Sequence, residues 1–223
     1  MKEFVQIKGP CLAVITLVAL LLGLLPVQSA QALSPHDREG VIFGVGVGFS
    51  PGQATLFPGN EELAVSSDWE IGVTPQLRVG YAVMKNRLSL TVTNQQWLYE
   101  QGILAEDKLR INAQNWSLAL TYYPAKRESV AGGLYILGSY GISNSRLTLL
   151  EPIENDPHGN KFEEVFKEDE GGSSYQFGAG FEFRLTRLFA AGVSVSYIHQ
   201  SVGGTIFEDT SVIPLNLTLN WYW

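Results

Sequence analysis

From Val41 to the end of the chain, apolar residues recur at every second position, the period of a strand with two different faces. Val41, Phe43, Val45, Val47 and Phe49 share one face of the first such stretch. The opposite face carries Ile42 and the glycines Gly44, Gly46 and Gly48. A second stretch, Trp69 to Val83, sets Ile71, Val73, Leu77, Val79, Tyr81 and Val83 against Glu70, Gly72, Thr74, Gln76, Arg78, Gly80 and Ala82. Pro75 on its apolar face costs a ladder hydrogen bond unless a bulge absorbs it. Further stretches follow at Leu88–Tyr99, Trp116–Tyr122, Val130–Ile142, Tyr175–Leu185, Phe189–Tyr197 and Ile213–Trp223. The pattern breaks at 110–115, which predicts a segment projecting beyond the fourth strand. Eight strands are expected, and no long helical periodicity interrupts them.

The connections alternate in length. Those at 84–87, 124–129 and 186–187 are short. Those at 50–68, 100–108, 143–173 and 201–210 are long. Short turns at one end and long loops at the other are the mark of an outer-membrane barrel. The face opposite the apolar one is built of Gly, Ala, Ser and Thr, which suits the narrow interior of an eight-stranded barrel better than a watered surface. Trp69, Tyr81, Trp116, Tyr122, Tyr140, Tyr175, Phe189, Tyr197, Trp221 and Trp223 fall near strand ends on the apolar face, where aromatic girdles form. The expected fold is therefore all-β: an eight-stranded antiparallel up-and-down transmembrane β-barrel over residues 40–223.

The first residues read differently. Lys2 and Lys8 precede an apolar run from Leu12 to Leu25, too short to span a bilayer comfortably. Pro26 ends the run, and Ala30-Gln31-Ala32 offers a small-x-small cleavage site. Residues 1–32 are expected to be a cleavable signal peptide and residues 33–39 an N-terminal extension. Cys11, the single cysteine, lies inside the signal, so the exported chain has no disulfide.

The net charge is −7, and losing Lys2, Lys8 and Glu3, a net +1, leaves about −8. No basic stretch remains to hold a polyanion, so nucleic acid is not expected as a partner. The 23 glycines follow no triplet period, which excludes collagen.

The ending Leu217-Thr218-Leu219-Asn220-Trp221-Tyr222-Trp223, with the strand number and the turn asymmetry, resembles the OmpA/OmpX-like family of small outer-membrane barrels. The resemblance covers residues 40–223. It implies a bacterial outer-membrane location, contact with outer-membrane lipid and lipopolysaccharide, and an assembly signal in Trp221 and Trp223 read by the outer-membrane assembly machinery. It also implies a structural, adhesion or surface-interaction role, with loops open to an extracellular protein partner.

Four charges fall on the inner face: Glu70, Arg78, Glu182 and Arg184. In a narrow lumen they must pair, as a plug or as the gate of a narrow channel. The segment 143–173 is rich in acids (Glu151, Glu154, Asp156, Glu163, Glu164, Glu168, Asp169 and Glu170, with His158 among them) and is expected to be a solvated outer loop. No ligand spacing for calcium is present. His36, His158 and His199 stand far apart, so neither metal nor cofactor is expected.

A second reading concerns chemistry. His199-Gln200-Ser201, with Glu208 and Asp209 after it, is similar to the His-x-Ser of the lipid A deacylase barrels. The resemblance implies His199 as base, Ser201 as nucleophile and Glu208 as acid on the barrel exterior. The chain departs from that family in having Val202 after Ser201. No counterpart of the amphipathic helix of the palmitoyltransferase barrels is present.

Overall fold

The computed structural model describes residues 38–56, 65–66, 69–84, 87–102, 108–126, 129–152, 162–186 and 188–223. The chain divides into two compact units, Met1–Gln31 and Ala32–Trp223. All described residues belong to the second. The expected signal peptide lies outside them.

The strands are β1 (Gly40–Leu56), β2 (Val65–Ser66), β3 (Glu70–Met84), β4 (Leu88–Gly102), β5 (Lys108–Tyr122), β6 (Leu134–Pro152), β7 (Phe162–Arg184), β8 (Phe189–Ser201), β9 (Phe207–Val212) and β10 (Leu215–Tyr222). A 3-10 turn, Val130–Gly133, precedes β6 where the alternation predicts a strand start. Each strand pairs antiparallel with its neighbours, and β1 closes the sheet by pairing with both β9 and β10. β9 and β10 are two halves of one strand. Both keep one register against β8, and against β1 as far as Thr55, beyond which it slips by one residue; the break falls at Ile213 and Pro214, the latter having no N–H to give. The ring therefore has eight strand positions, with β2 a short addition to β1.

The register defines the barrel. Stepping around the ring from Val45 through Leu77, Asn94, Trp116, Ile142, Ser173, Ser201 and Asp209 returns to β1 at Thr55, ten residues further along. Eight strands with that stagger tilt by about 40° to the axis, and the interior is filled by side chains. At Pro75 the ladder loses its pairing and no bulge absorbs it. The β3–β4 register is the same on both sides of it, and the pairs at positions 74 and 75 simply drop out.

The strands run well past the length a bilayer needs, about 9–11 residues. β6 has 19 residues and β7 has 23. Residues 143–152 and 162–173, expected as part of a long loop, are strand. So are 51–56, expected as loop, and 110–115, expected to break the pattern. The alternation at 110–115 continues with its polarity reversed. Below this level β5 points Trp116, Leu118, Leu120 and Tyr122 outward and buries Ser117, Ala119 and Thr121. Above it, Arg110, Asn112 and Gln114 face outward, and Ile111 and Ala113 are buried. β6 makes the same change: Ile136, Tyr140 and Ile142 are outward below, whereas Asn144 and Arg146 are outward above with Leu147 buried. In lipid the apolar face must point out; in water it must point in. The reversal marks the outer edge of the membrane on the protein itself. Trp116, Tyr140, Tyr175 and Tyr197 lie at that edge. At the turn end Trp221 packs against Phe43 at 5.6 Å and Phe189 at 5.5 Å between ring centroids.

Candidate functional site

The lumen has three layers, set by which side chains each strand turns inward. At the turn end Glu182, fully buried, collects several partners. Arg38 Nε donates to its Oε1 at 3.0 Å, and Asn220 Nδ2 and the Tyr222 hydroxyl donate to its Oε2 at 3.1 and 2.5 Å. Arg78 Nη2 stands 3.9 Å from Oε2, and its Nε donates to Asn220 Oδ1 at 2.9 Å. The Arg38 guanidinium also lies 3.5 Å over the Tyr123 ring and donates to the carbonyl of Gly132 at 3.1 Å. Arg184 stacks on Tyr222, its Cζ 4.0 Å from the ring centroid.

Of the four inward charges expected, Arg78, Glu182 and Arg184 thus meet in one cluster and Glu70 does not. Glu70 sits at the other end of the barrel beside the Tyr99 hydroxyl. Arg38 was not legible as a member. It precedes β1 in a stretch without periodicity, and only the fold brings it 144 residues across to Glu182.

The middle layer is polar and uncharged. Gln176 Nε2 donates to Ser196 Oγ at 2.8 Å and to Gln95 Oε1 at 3.4 Å. Gln76 Nε2 reaches the same Gln95 oxygen, and Ser174 Oγ donates to Asn115 Oδ1 at 2.6 Å. Ser50 and Thr74 share a short hydrogen bond between their hydroxyls.

The third layer, above the membrane edge, is apolar. Trp97, 1% exposed, stacks on Tyr99 at 5.7 Å between centroids and donates from Nε1 to the Ser50 carbonyl at 3.3 Å. Around it pack Leu56, Ile111, Leu147, Phe207 and Val212. Gly52 and Gly72 make room for the indole, because a Cβ at either position would collide with that ring. This plug is absent from the sequence expectations. Its signal was Trp97 and Tyr99 on the face opposite Gln96, Leu98 and Glu100, a face that turns polar at both sides of Leu98.

One carboxylate fastens the plug from outside. Glu170, on the part of β7 beyond the membrane edge, accepts backbone N–H bonds from Thr205 at 2.7 Å, Ile206 at 3.0 Å and Phe207 at 2.7 Å, and the Thr205 hydroxyl at 3.0 Å. Partial burial pushes its pKa up, but the three N–H groups outweigh that and hold it below the usual carboxylate range. A lowered carboxylate pKa stabilises the fold above the ordinary carboxylate pKa, and that contribution is lost as the pH falls through the lowered value. Acidification below the carboxylate range is therefore expected to lower the amide protection factors of Thr205, Ile206 and Phe207, taken relative to the unstructured rate at the same pH, before protection falls in the membrane layer. Glu170→Gln should show the lower protection already at neutral pH. Unchanged protection in both cases contradicts the role given to Glu170.

The outer surface near β8 holds the residues of the deacylase reading. His199 and Ser201 both face outward, and Tyr175 stacks on His199 at 5.1 Å between centroids. The His199 Nδ1, however, is 3.1 Å from Ser211 Oγ, which also contacts the Tyr197 hydroxyl at 3.1 Å. No hydrogen bond among the described residues joins His199 to Ser201 or to Glu208. The Glu208 side chain is exposed, and its backbone carbonyl accepts the N–H groups of Val202 and Gly203. Asp209 is held by Thr55 at 3.0 Å. Among the described residues no cluster of His, Cys, Asp and Glu could hold a metal ion. Of the acids expected in the outer loop, Glu164, Glu168, Asp169 and Glu170 stand on β7 strand instead, with Asp169 paired to Arg146 of β6 at 2.5 Å. Glu154, Asp156 and His158 lie outside the described residues.

The family model for the outer membrane protein beta-barrel domain matches residues 17–221. The chain belongs to that family. Its members are barrels of the bacterial outer membrane, and this is the location of the present chain, with the long strands and the apolar plug on the outer side. No curated protein sequence matches it. Among solved structures it is similar to Ail, the attachment invasion locus protein of Yersinia pestis, in complex with the heparin analogue sucrose octasulfate. That likeness has 11% identity and a TM-score of 0.48, and covers 82% of this chain and 98% of that one. Neisserial surface protein A is similar at 14% identity and a TM-score of 0.47, over 81% and 97% of the two chains. OprG from Pseudomonas aeruginosa is similar at 15% identity and a TM-score of 0.40, over 84% and 98%. Within the family, Trp221 and Trp223 of this chain occupy the end of the last strand, where Trp223 exchanges backbone hydrogen bonds with Val41.

Proposed function

We propose that this barrel is a closed post in the outer membrane that works at the cell surface, as an adhesion or surface-interaction protein, through the strands it extends beyond the bilayer. The observation that carries this is the reversal of polarity together with the plug it encloses. A transporting barrel has no use for an apolar seal at its outer mouth. Here Trp97, Tyr99, Ile111, Leu147 and Phe207 fill that mouth while Glu182 and the arginines fill the other end. The same seal makes the extension rigid, and its outer wall presents Gln96, Gln114, Asn112 and Asn144 with the ion pairs Arg146–Asp169 and Arg110–Glu100 to the medium. The deacylase reading gains no support from the placement of His199, whose near partner is Ser211.

The test trims the far end of the β6–β7 hairpin, the longest part of the extension, and keeps the membrane barrel. Residues 150–165 are replaced by Asn-Gly, a hairpin turn, which leaves Leu147 and Glu170 in place. The shortened protein should assemble and show the heat-modifiable gel shift of the full protein. Cells carrying it should lose the surface adherence that the full protein restores to a deletion strain. Adherence restored equally by both proteins would contradict the proposal.

A further inference from the structure

The β6–β7 hairpin outgrows its neighbour on one side. β6 stays paired with β7 out to Phe162, whereas the last pair between β7 and β8 is Ser173 with Ser201, after which the chain turns back through 202–206 into β9. Glu170 holds that turn by its backbone N–H groups. Farther out, residues 162–169 have a strand on one side only among the described residues. An edge of that length spans about 26 Å, and every second residue turns both its N–H and its C=O to the open side. Such edges recruit strands from other chains unless they are guarded. Glu164, Lys167, Glu168 and Asp169 are exposed, as guards would be, but so are Val165 at 44% and Phe166 at 42%. A bulge lies here: Phe166 stands opposite Leu149 and Glu164 opposite Leu150, so Val165 is the extra residue. Two consecutive large apolar side chains held in water on an open strand edge serve an occupant and not a guard.

We infer that this edge takes an extended, lysine- or arginine-rich segment of another protein as an added strand. Main-chain hydrogen bonds along 162–169 hold the segment, Val165 and Phe166 give it apolar contact, and charge selects it. From 143 to 173 the chain carries eight carboxylates against three basic side chains, Arg146, Lys161 and Lys167. Asp169 is paired with Arg146, and Glu164 lies 3.9 Å from Lys167. Glu168 makes no ion pair among the described residues. Lys108 of β5, over the Phe162 ring, is held by Glu100 at 3.1 Å. The surplus is negative, so a polyanion is repelled. A second copy of this chain is disfavoured by the same charge, because pairing two β7 edges sets one row of acids against another. The inference rests on the surface role proposed above and names the chemistry of its partner.

The probe is a capped, fluorescein-labelled peptide, Lys-Val-Lys-Val-Lys-Val-Lys, titrated with the refolded barrel in a neutral detergent at about 0.15 M salt. Fluorescence anisotropy should show saturable binding near one peptide per barrel, with amide protection gained only at 162–169. The same peptide N-methylated at every residue keeps its charge and cannot form a ladder. It should bind more than about tenfold more weakly. Glu168→Lys should weaken binding about fivefold, and Glu100→Lys, the same change on β4, should leave it unchanged. Both side chains are exposed, so neither change threatens folding. No saturable binding, equal binding of the N-methylated peptide, equal effects of the two variants, or protection gained away from 162–169 would overturn the inference. Absent binding together with adherence lost on trimming the hairpin would remove this partner and keep the surface role. Binding as expected with adherence unchanged on trimming would do the reverse.

Discussion

Replacing Glu182 by glutamine is expected to cost about 3–5 kcal/mol of barrel stability, the largest effect of any single polar change in the lumen. The side chain is fully buried, and it anchors Arg38, Asn220 and Tyr222 directly and Arg78 at longer range. Glutamine keeps the shape and loses the charge. Arg38 and Arg78 then lose the buried carboxylate that opposes them, which is the situation that makes half of a broken buried ion pair so destabilising. Arg184→Met gives the contrast. It removes a cation that has no hydrogen-bond partner among the described residues, so it should be neutral or stabilising. The measurement is the urea midpoint of the heat-modifiable gel shift in detergent. Opposite directions for the two variants support the network as described. Loss of stability in both, by similar amounts, contradicts it.

Trp97→Ala is the second large effect, at about 3–5 kcal/mol for emptying the site of a buried tryptophan. Here the loss concerns the outer plug alone. The indole fills space that Gly52 and Gly72 leave open, stacks on Tyr99 and donates to the Ser50 carbonyl, so no neighbour can move in to replace it. The outer parts of β4, β5 and β9 should loosen, seen as faster amide exchange at Ile111, Ala113 and Phe207, while Thr93, Ser117 and Thr218 in the membrane layer keep their protection. Uniform loss of protection through the whole barrel would contradict a plug that is confined to the extension.

Much of the fold was legible in the alternation of apolar and polar residues. Eight strands, the outward aromatics and the small inner residues all follow from the requirement that lipid-facing side chains be apolar and a narrow lumen be filled. What was not legible shares one physical cause. The reading assumed a single polarity along each strand, with the apolar face always outward. Where the strands leave the bilayer the solvent changes and the rule inverts, so Trp97, Ile111 and Leu147 belong inside although they carry the same side chains that mark the outside lower down. The same assumption turned Glu164, Glu168 and Asp169 into loop. A charged face is what a strand in water presents, and only the register against Leu150, Leu147 and Arg146 shows it to be strand. The inner charges were partly legible, because parity alone puts Arg78, Glu182 and Arg184 in the lumen. Parity cannot give height, so it could not separate Glu70, at the far end, from the other three. Nor could it supply Arg38, which comes from outside the periodic part of the chain. On the outer surface, sequence adjacency pointed from His199 to Ser201, whereas strand pairing gives it Ser211 across the β8–β9 ladder.

Side chains fill the lumen at both ends, and the proposed role places the protein's action at its outer surface. The most direct test is the conductance of the purified, refolded wild-type barrel in planar lipid bilayers. The expected record is silent at all moderate voltages, since the apolar plug and the Glu182 cluster block the path in series. Discrete, reproducible conductance steps from the folded wild-type protein would contradict the account and return the channel reading to first place.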